Sequence, residues 1–529
     1  MKRGTGILIG IFLIAAVLRL YALSTNPSST YWDETALGYD AYSILKTGRD
    51  YHGNFLPILA FPSFGDYKPS LYVYAIVPFM AVFGPTTLAI RLPSALAGIV
   101  TTWLVYCIGK KLKDERLGLL GALFFAVQPW NVHVSRAGFE TNLASMLVAL
   151  GIYLCLRARH HARFLVGAAM AFGLSMYAYH SERIIAPILA LAFTLDRKIW
   201  KNLKWVVVAG VIGMIFALPL AINLKNPIIA QRAAETRIFA GTRIVEISNA
   251  LRAEDQNSIV GRVLHHRYIV AVQTFARQYF QNFSMKFFFI DGDNNLRHGS
   301  QLFGVLHHWE FFTVLVGLYA IVFAKTYAPT GKVVIPWILI AAVPVALTTV
   351  SPHTLRFLSA APAFSLLSAV GVGYFFEHIH KRWRKIASIL FGVTVLAHVI
   401  SFTYTLFVIY PKTSAIEWQY GYKELVESIE QLRKPDQHVF VTREQGRPSI
   451  YFLWYTKQDP RELQRQDAFL KKDQQELLEF GPYAFGEAVP LEKSLLVASG
   501  PALVPTDATV LKTISLPTGE VIWSIWERQ

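Results

Sequence analysis

The chain has 529 residues, 53% hydrophobic and 16% charged, well short of the roughly 25% charged residues of a soluble globular protein. Its formal charge of +16, from 51 Lys and Arg against 35 Asp and Glu, would suit nucleic acid in a soluble protein, but basic helix ends facing cytoplasm and anionic lipid account for it in a membrane protein. Two cysteines, Cys107 and Cys155, exclude a disulfide framework, and both lie inside apolar runs as packing residues.

The opening "MKRGTGILIGIFLIAAVLRLYAL" has the charged start and apolar middle of a signal peptide. Arg19 interrupts the run and no A-x-A-like site follows, which favours an uncleaved first helix. Apolar runs near the roughly 18-residue spanning threshold then recur, giving expected crossings near 6–23, 88–109, 117–134, 142–156, 164–180, 184–196, 205–222, 306–324, 333–350, 357–376 and 386–409. Eleven crossings follow. The segment "SLYVYAIVPFMAVFG", residues 70–84, has the length of an interfacial or re-entrant helix and is not counted.

With that choice the basic residues obey the positive-inside rule. Lys110, Lys111, Lys113 and Arg116, then Arg157, Arg159 and Arg163, then Arg197, Lys198, Lys201 and Lys204, and finally Lys381, Arg382, Arg384 and Lys385 all fall in cytoplasmic loops, while "SRAGFETN", "HSER" and "SPHTLR" hold one Arg each outside. The N-terminus is then cytoplasmic, and the outer loops 24–87 and 223–304 and everything after Tyr410 are extracytoplasmic. The long loop carries "IIAQRAAETRIF" and "LHHRYIVAVQTFARQYFQNF", mixed apolar and basic stretches suited to the membrane surface.

The expected fold is an all-α polytopic membrane bundle over 1–410 with a small soluble α/β domain over 411–529. In that tail "YKELVESIEQL" reads as helix, while "HVFVT", "SLLVAS" and "VIWSIW" carry the Val, Ile and aromatic content of strands.

Under this topology several polar segments converge on the outer side. They hold Asp33 and Glu34; Asp66, Tyr67 and Lys68; Arg136 and Glu140; His180, Glu182 and Arg183; Asp291, Asp293, Arg297 and His298; and His353 and Arg356. "DGDNN" lacks the twelve-residue pattern of an EF-hand. The pairs His265 with His266 and His307 with His308 face different sides of a helix and are set aside as metal ligands.

A glycosidase needs two carboxylates flanking the bond. Sugar transfer from a lipid phosphate needs one base, because phosphate leaves unprotonated when cations neutralise it. In that scheme Asp33 takes the proton from an acceptor hydroxyl, Glu34 and Glu140 orient acceptor or base, and Lys68, Arg183 and Arg356 bind the donor phosphate.

The acidic pair of the first outer loop, "GDYKPSLYVY", "AIRLPSALAGIVTTWLVYCIGKKL" and the acid in "SRAGFETN" are similar in order and spacing to the polytopic membrane glycosyltransferases of the GT-C fold, which include protein O-mannosyltransferases and the lipid A aminoarabinose transferase. The resemblance covers roughly the first 200 residues, with "LRFLSAAPAFSLLSAVGVGYFFE" resembling a later family helix. It implies a bundle with surface-lying helices in the first outer loop, a polyprenyl-phosphate sugar donor, and inverting transfer at the outer face to a protein, lipid or glycan acceptor. Asp33 matches the family's essential acid and Glu34 its neighbour. Asp66, Lys68 and Pro69 match an acidic-Lys-Pro segment into which Tyr67 is inserted, and Glu140 stands where aspartate is usual. "YAYHSERI" stands where relatives often have Lys-Gly-Pro. Relatives differ in whether a metal lies near the first-loop acid, so no cofactor is fixed and a divalent metal stays open, with Asp66 as candidate ligand.

The alternative is a transporter or flippase of lipid-linked sugars. Transporters place ionisable residues near the bilayer midplane, whereas Arg19, Arg91 and Glu310 here lie near expected helix ends. Family habit points to a prokaryotic plasma membrane.

Overall fold

A computed structural model describes residues 2–196, 198–224, 226, 238, 242–466, 471–490 and 495–528. The helices, in chain order, are α1 (Lys2–Leu20), α2 (Trp32–Thr47), α3 (Leu71–Phe83), α4 (Thr87–Leu112), α5 (Glu115–Val127), α6 (Pro129–Val134), α7 (Glu140–Ala158), α8 (Phe164–Ala178), α9 (Glu182–Thr194), α10 (Leu203–Ile222), α11 (Arg243–Glu254), α12 (Ile259–Leu264), α13 (Arg267–Gln281), α14 (Glu310–Phe323), α15 (Ala328–Ala346), α16 (Thr354–Phe357), α17 (Ala361–His378), α18 (Lys381–Tyr404), α19 (Tyr422–Leu432), α20 (Pro448–Tyr455) and α21 (Pro460–Gln466). A hairpin of β1 (Ala60–Ser63) and β2 (Asp66–Pro69) follows α2.

Among the described residues six helices are long and apolar enough to cross a membrane: Thr87–Leu112, Glu140–Ala158, Leu203–Ile222, Ala328–Ala346, Thr354–His378 and Lys381–Thr413. Gly4–Leu20, Leu71–Phe83, Phe164–Ala178 and Glu310–Phe323 are shorter apolar helices. The apolar windows of α10 and of Lys381–Thr413 are only 6% buried. Side chains such as Val211, Met214, Ile389 and Val393 therefore face outward, an arrangement stable against lipid and not against water. The protein is an integral membrane protein.

The chain divides into two compact units. One comprises Met1–Arg19, Leu96–Ser135 and Glu140–Thr403; the other comprises Leu20–Ala95, Arg136–Phe139 and Tyr404–Gln529.

In the first unit α7 packs on α8, α14 on α17, and α5 on α17. The sequence expectation of one unbroken span over 117–134 is corrected: the helix stops at Val127 and restarts at Pro129. Proline has no N–H to continue the ladder and is tolerated at a first helical position. The carbonyls left open at the end of α5 are taken by the fully buried Arg19, whose Nη1 donates to Ala126 at 2.9 Å and Nη2 to Phe125 at 3.1 Å. "LHHRYIVAVQTFARQYFQNF" contains α12's end and the whole of α13, which exposes Tyr268, Val272 and Phe280. Ile238 apart, "IIAQRAAETRIF" lies outside the described residues.

In the second unit α2 packs on α3, α20 and α21. The tail forms a six-stranded sheet from β3 (Val439–Thr442), β4 (Glu479–Phe480), β5 (Tyr483–Gly486), β6 (Leu496–Ser499), β7 (Ala508–Ser515) and β8 (Val521–Arg528), in the order β4-β5-β3-β6-β8-β7. β3 runs parallel to β5 and β6, and the remaining pairs are antiparallel. Phe440, Val497 and Trp526 bury one face of it.

Candidate functional site

In the second unit, Asp33 and Glu34 occupy the first turn of α2, where carboxylates complement the open N–H groups and the helix dipole. The β1/β2 hairpin sets Lys68 opposite Phe61 and Asp66 opposite Ser63. From there the Lys68 ammonium reaches Asp33 Oδ1 at 3.0 Å and Asp66 Oδ2 at 3.8 Å. Lys68 is 8% exposed and Asp33 24%, so the lysine is committed to the site while the carboxylate keeps one side open. Tyr67 donates its N–H to Asp66 Oδ1 at 2.8 Å, which fixes the acid that precedes the inserted residue.

Glu34 points the other way. It is fully buried and takes two bonds from the equally buried Arg91, Nε at 2.8 Å and Nη2 at 3.1 Å, plus the Gly138 N–H at 2.8 Å. A Cβ at Gly138 would come within 2.9 Å of Glu34 Cγ and 3.0 Å of Ile90 Cγ2, so only glycine allows this approach. Arg91 also donates to the carbonyls of Leu23 and Pro27, both at 3.0 Å, and Arg136 to those of Tyr21 at 2.7 Å and Asn26 at 3.0 Å. The two arginines thus tie the chain before α2 into a rigid support for Asp33.

Farther along α2, Asp40 is buried beside Asp50 and accepts the Tyr51 N–H at 3.4 Å. Burial, then the Asp50 charge, push its carboxyl well above the usual carboxylate range.

In the first unit, a polar chain leads from Arg19 to Asn131 (2.8 Å), Asn142 (2.8 Å) and Ser135 (3.0 Å), fixing α6 against the start of α7, where Glu140 is 8% exposed. Thr141 donates to the Leu355 carbonyl at 2.8 Å, and Trp130 to that of Thr354 at 3.0 Å. Residues 353–359 therefore form a hub. His353 accepts the Arg356 N–H at 3.4 Å, the Arg356 guanidinium donates to Thr348 at 2.8 Å, and Ser359 donates to Glu182. Glu140, Glu182, His353 and Arg356 all belong to this neighbourhood. His180 turns the chain into α9, its carbonyl accepting the Arg183 N–H at 3.2 Å, and the Arg183 Nε donates to Met176 at 3.4 Å.

Asp293 joins the same hub. Its Oδ2 lies 2.8 Å from His298 Nδ1 and accepts the Thr354 N–H at 2.8 Å. Burial opposes the charge, but His298 and then His353 outweigh it and hold the carboxyl well below its ordinary range. Arg297 follows the same turn, its carbonyl 3.1 Å from His133 Nε2. The donor atoms of Asp293, His298 and His353 all lie within 4.8 Å of one another. Two histidines and one carboxylate are a ligand set that could hold a divalent transition metal. Asp66, the metal candidate from the sequence, is not in this group. The signal was present in "DGDNNLRHG", but its third ligand lies 55 positions beyond His298.

The comparisons with known proteins bear on family and fold. Residues 67–222 match the family model for dolichyl-phosphate-mannose-protein mannosyltransferases. YycA of Bacillus subtilis (strain 168), which bears a provisional mannosyltransferase name, is 30% identical over 198 residues, 37% of this chain and 27% of its own. The match thus spans about a quarter of that relative. ArnT from Cupriavidus metallidurans in the apo state superposes with a TM-score of 0.57 at 11% identity, covering 98% of both chains. The chain has the GT-C fold. Undecaprenyl-phosphate-bound ArnT gives a TM-score of 0.53 at 11% identity, again over 98% of each chain. The Archaeoglobus fulgidus oligosaccharyltransferase AglB, solved with an inhibitory peptide and a dolichol-phosphate, gives 0.52 at 14% identity over 85% of this chain and 63% of its own. The chain resembles the GT-C membrane glycosyltransferases in family model, curated relative and fold.

Proposed function

We propose that this GT-C chain is an inverting glycosyltransferase, moving a hexosyl or pentosyl group from a polyprenyl-phosphate donor to an acceptor hydroxyl or amine of a protein, lipid or glycan at the outer membrane face. The observation that carries the reading is the Lys68–Asp33 pair at 3.0 Å, held on a helix start that Glu34 and Arg91 make rigid. A general base must be fixed and still reachable, and Asp33 is both. The acceptor oxygen or nitrogen bonds to the anomeric carbon, the carbon–phosphate oxygen bond breaks, Asp33 takes the acceptor proton and polyprenyl phosphate departs as the anion.

In this scheme Lys68, Arg183 and Arg356 neutralise the departing phosphate, and Glu34 positions the base. Glu140, which follows Gly138 by two places in the chain, orients acceptor or base. Asp293, His298 and His353 would hold a divalent metal, which when bound supplies positive charge for phosphate oxygens. In the same reading the chain crosses the membrane eleven times from a cytoplasmic N-terminus, carries an extracytoplasmic domain over 411–529, and resides in a prokaryotic plasma membrane. The ArnT and AglB structures, solved with lipid phosphates, support the donor class.

The test is transfer by purified protein in nanodiscs with a radiolabelled polyprenyl-phosphate sugar and a membrane acceptor extract. Asp33→Asn is expected to bind donor and not transfer. Donor lipid crossing the bilayer at the wild-type rate in that variant, with no covalent product in either protein, assigns the chain to the flippases instead.

A further inference from the structure

At the C-terminal end of α2 a cavity of about 440 Å³ is lined by Thr47, Arg49, Gly53, Arg461, Gln464 and Arg465, all of the second unit. We propose that it binds the phosphate headgroup of an anionic membrane lipid.

The cavity is built, not a chance gap between surface side chains. The Gln464 amide donates to Ser43 and Thr47 hydroxyls, both at 3.0 Å, and to the Asp50 carbonyl at 2.9 Å, which clamps α21 onto the end of α2. Arg461 and Arg465, four places apart on α21, share one helical face. Arg49 enters from the opposite wall, donating to the Gly53 carbonyl at 2.8 Å with its guanidinium over the Phe55 ring at 5.6 Å. A Cβ at Gly53 would meet nothing within 4 Å, so that wall is open.

Charge is left over. Asp459 approaches Arg461 at 3.7 Å, while Glu462 accepts from Gln458. Arg465 has no ion pair or hydrogen bond among the described residues. Guanidinium groups bind phosphate and carboxylate through paired donors.

The rim identifies the source of the anion. In the stretch of chain around Arg49, Leu45, Phe55, Leu56 and Ile58 are 40%, 66%, 41% and 71% exposed. Leu56 is fixed there by its N–H to the Gly48 carbonyl at 3.0 Å, and Phe55 bridges to Arg49. Apolar side chains next to a basic pocket suit the headgroup boundary, where rings and aliphatics enter the acyl layer and cations meet phosphate. A phosphate carried in water would gain nothing from them.

Native mass spectrometry of the detergent-solubilised full chain, titrated with phosphatidylglycerol, phosphatidylcholine or inorganic phosphate, tests this. The expected result is preferential retention of phosphatidylglycerol, weakened about tenfold or more in Arg461→Gln/Arg465→Gln and largely kept in Arg461→Lys/Arg465→Lys. Phe55→Ser/Ile58→Ser should weaken phosphatidylglycerol without changing inorganic phosphate. Equal retention of the two lipids, or wild-type phosphatidylglycerol binding by the glutamine variant, overturns the proposal. So does inorganic phosphate binding as tightly as the lipid, which would assign the cavity to a water-borne anion.

Discussion

Lys68 and Asp33 meet at 3.0 Å across 35 positions of sequence, the lysine nearly buried and the carboxylate open on one side. The hairpin that delivers Lys68 and the helix that begins with Asp33 belong to one compact unit, so the pair is set by the fold and does not depend on a bound substrate.

Lys68→Gln is therefore expected to lower kcat by roughly 10²-fold, the cost of a base displaced by about an ångström, with Lys68→Arg recovering part of it. Steady-state transfer assays separate this from a loss of donor affinity alone, which would raise KM and leave kcat.

The Glu34–Arg91 pair should matter for stability. Removing one partner of a buried ion pair costs about 3–5 kcal/mol, so Glu34→Ala and Arg91→Met are each expected to lower the unfolding temperature. Because the residues share one network, Glu34→Gln/Arg91→Met should lose less than the sum of Glu34→Gln and Arg91→Met measured singly. Thermal unfolding in detergent reads both effects.

Asp40 gives a pH dependence of defined sign. Its folded pKa is raised by burial and by Asp50, so its stabilisation is complete below the unfolded value near ~3.9 and is lost as pH rises through the folded value. Asp40→Asn removes that loss. The expected outcome is an unfolding temperature about 2–4 °C higher at pH 8 and no change near pH 4; an equal shift at both would contradict it.

Chelator-treated protein is expected to take up one equivalent of Zn²⁺ or Mn²⁺. His298→Ala and His353→Ala should each weaken uptake at least about 10–100-fold, the cost of disturbing even an outer partner of a metal, while His265→Ala should not. Isothermal titration calorimetry distinguishes these outcomes.

The sequence made the membrane class, the helical tail segment Tyr422–Leu432 and three of its strands readable, because long apolar runs and β-branched clusters are local signals. Asp33, Asp66 and Lys68 were readable because all three lie in the first outer loop, as an acidic pair and an acidic-Tyr-Lys-Pro segment, although nothing local showed that the lysine reaches Asp33. Arg91 was not, since it lies inside an apolar run 57 positions from Glu34 and nothing local marks a salt bridge. The His298–His353 contact was hidden for the same reason. Arg136, read as a polar loop residue, instead serves backbone carbonyls, which charge patterning cannot reveal. The break at Gln128 did carry a local mark in Pro129, outweighed by the apolar run around it.

The most direct test of the account is the single-turnover transfer rate of Asp33→Asn against wild type, with bound polyprenyl-phosphate donor quantified in the same samples. The expected result is a fall of at least roughly 10²-fold, the range of a positioned general base, with donor occupancy unchanged. Transfer at the wild-type rate with donor bound would contradict it.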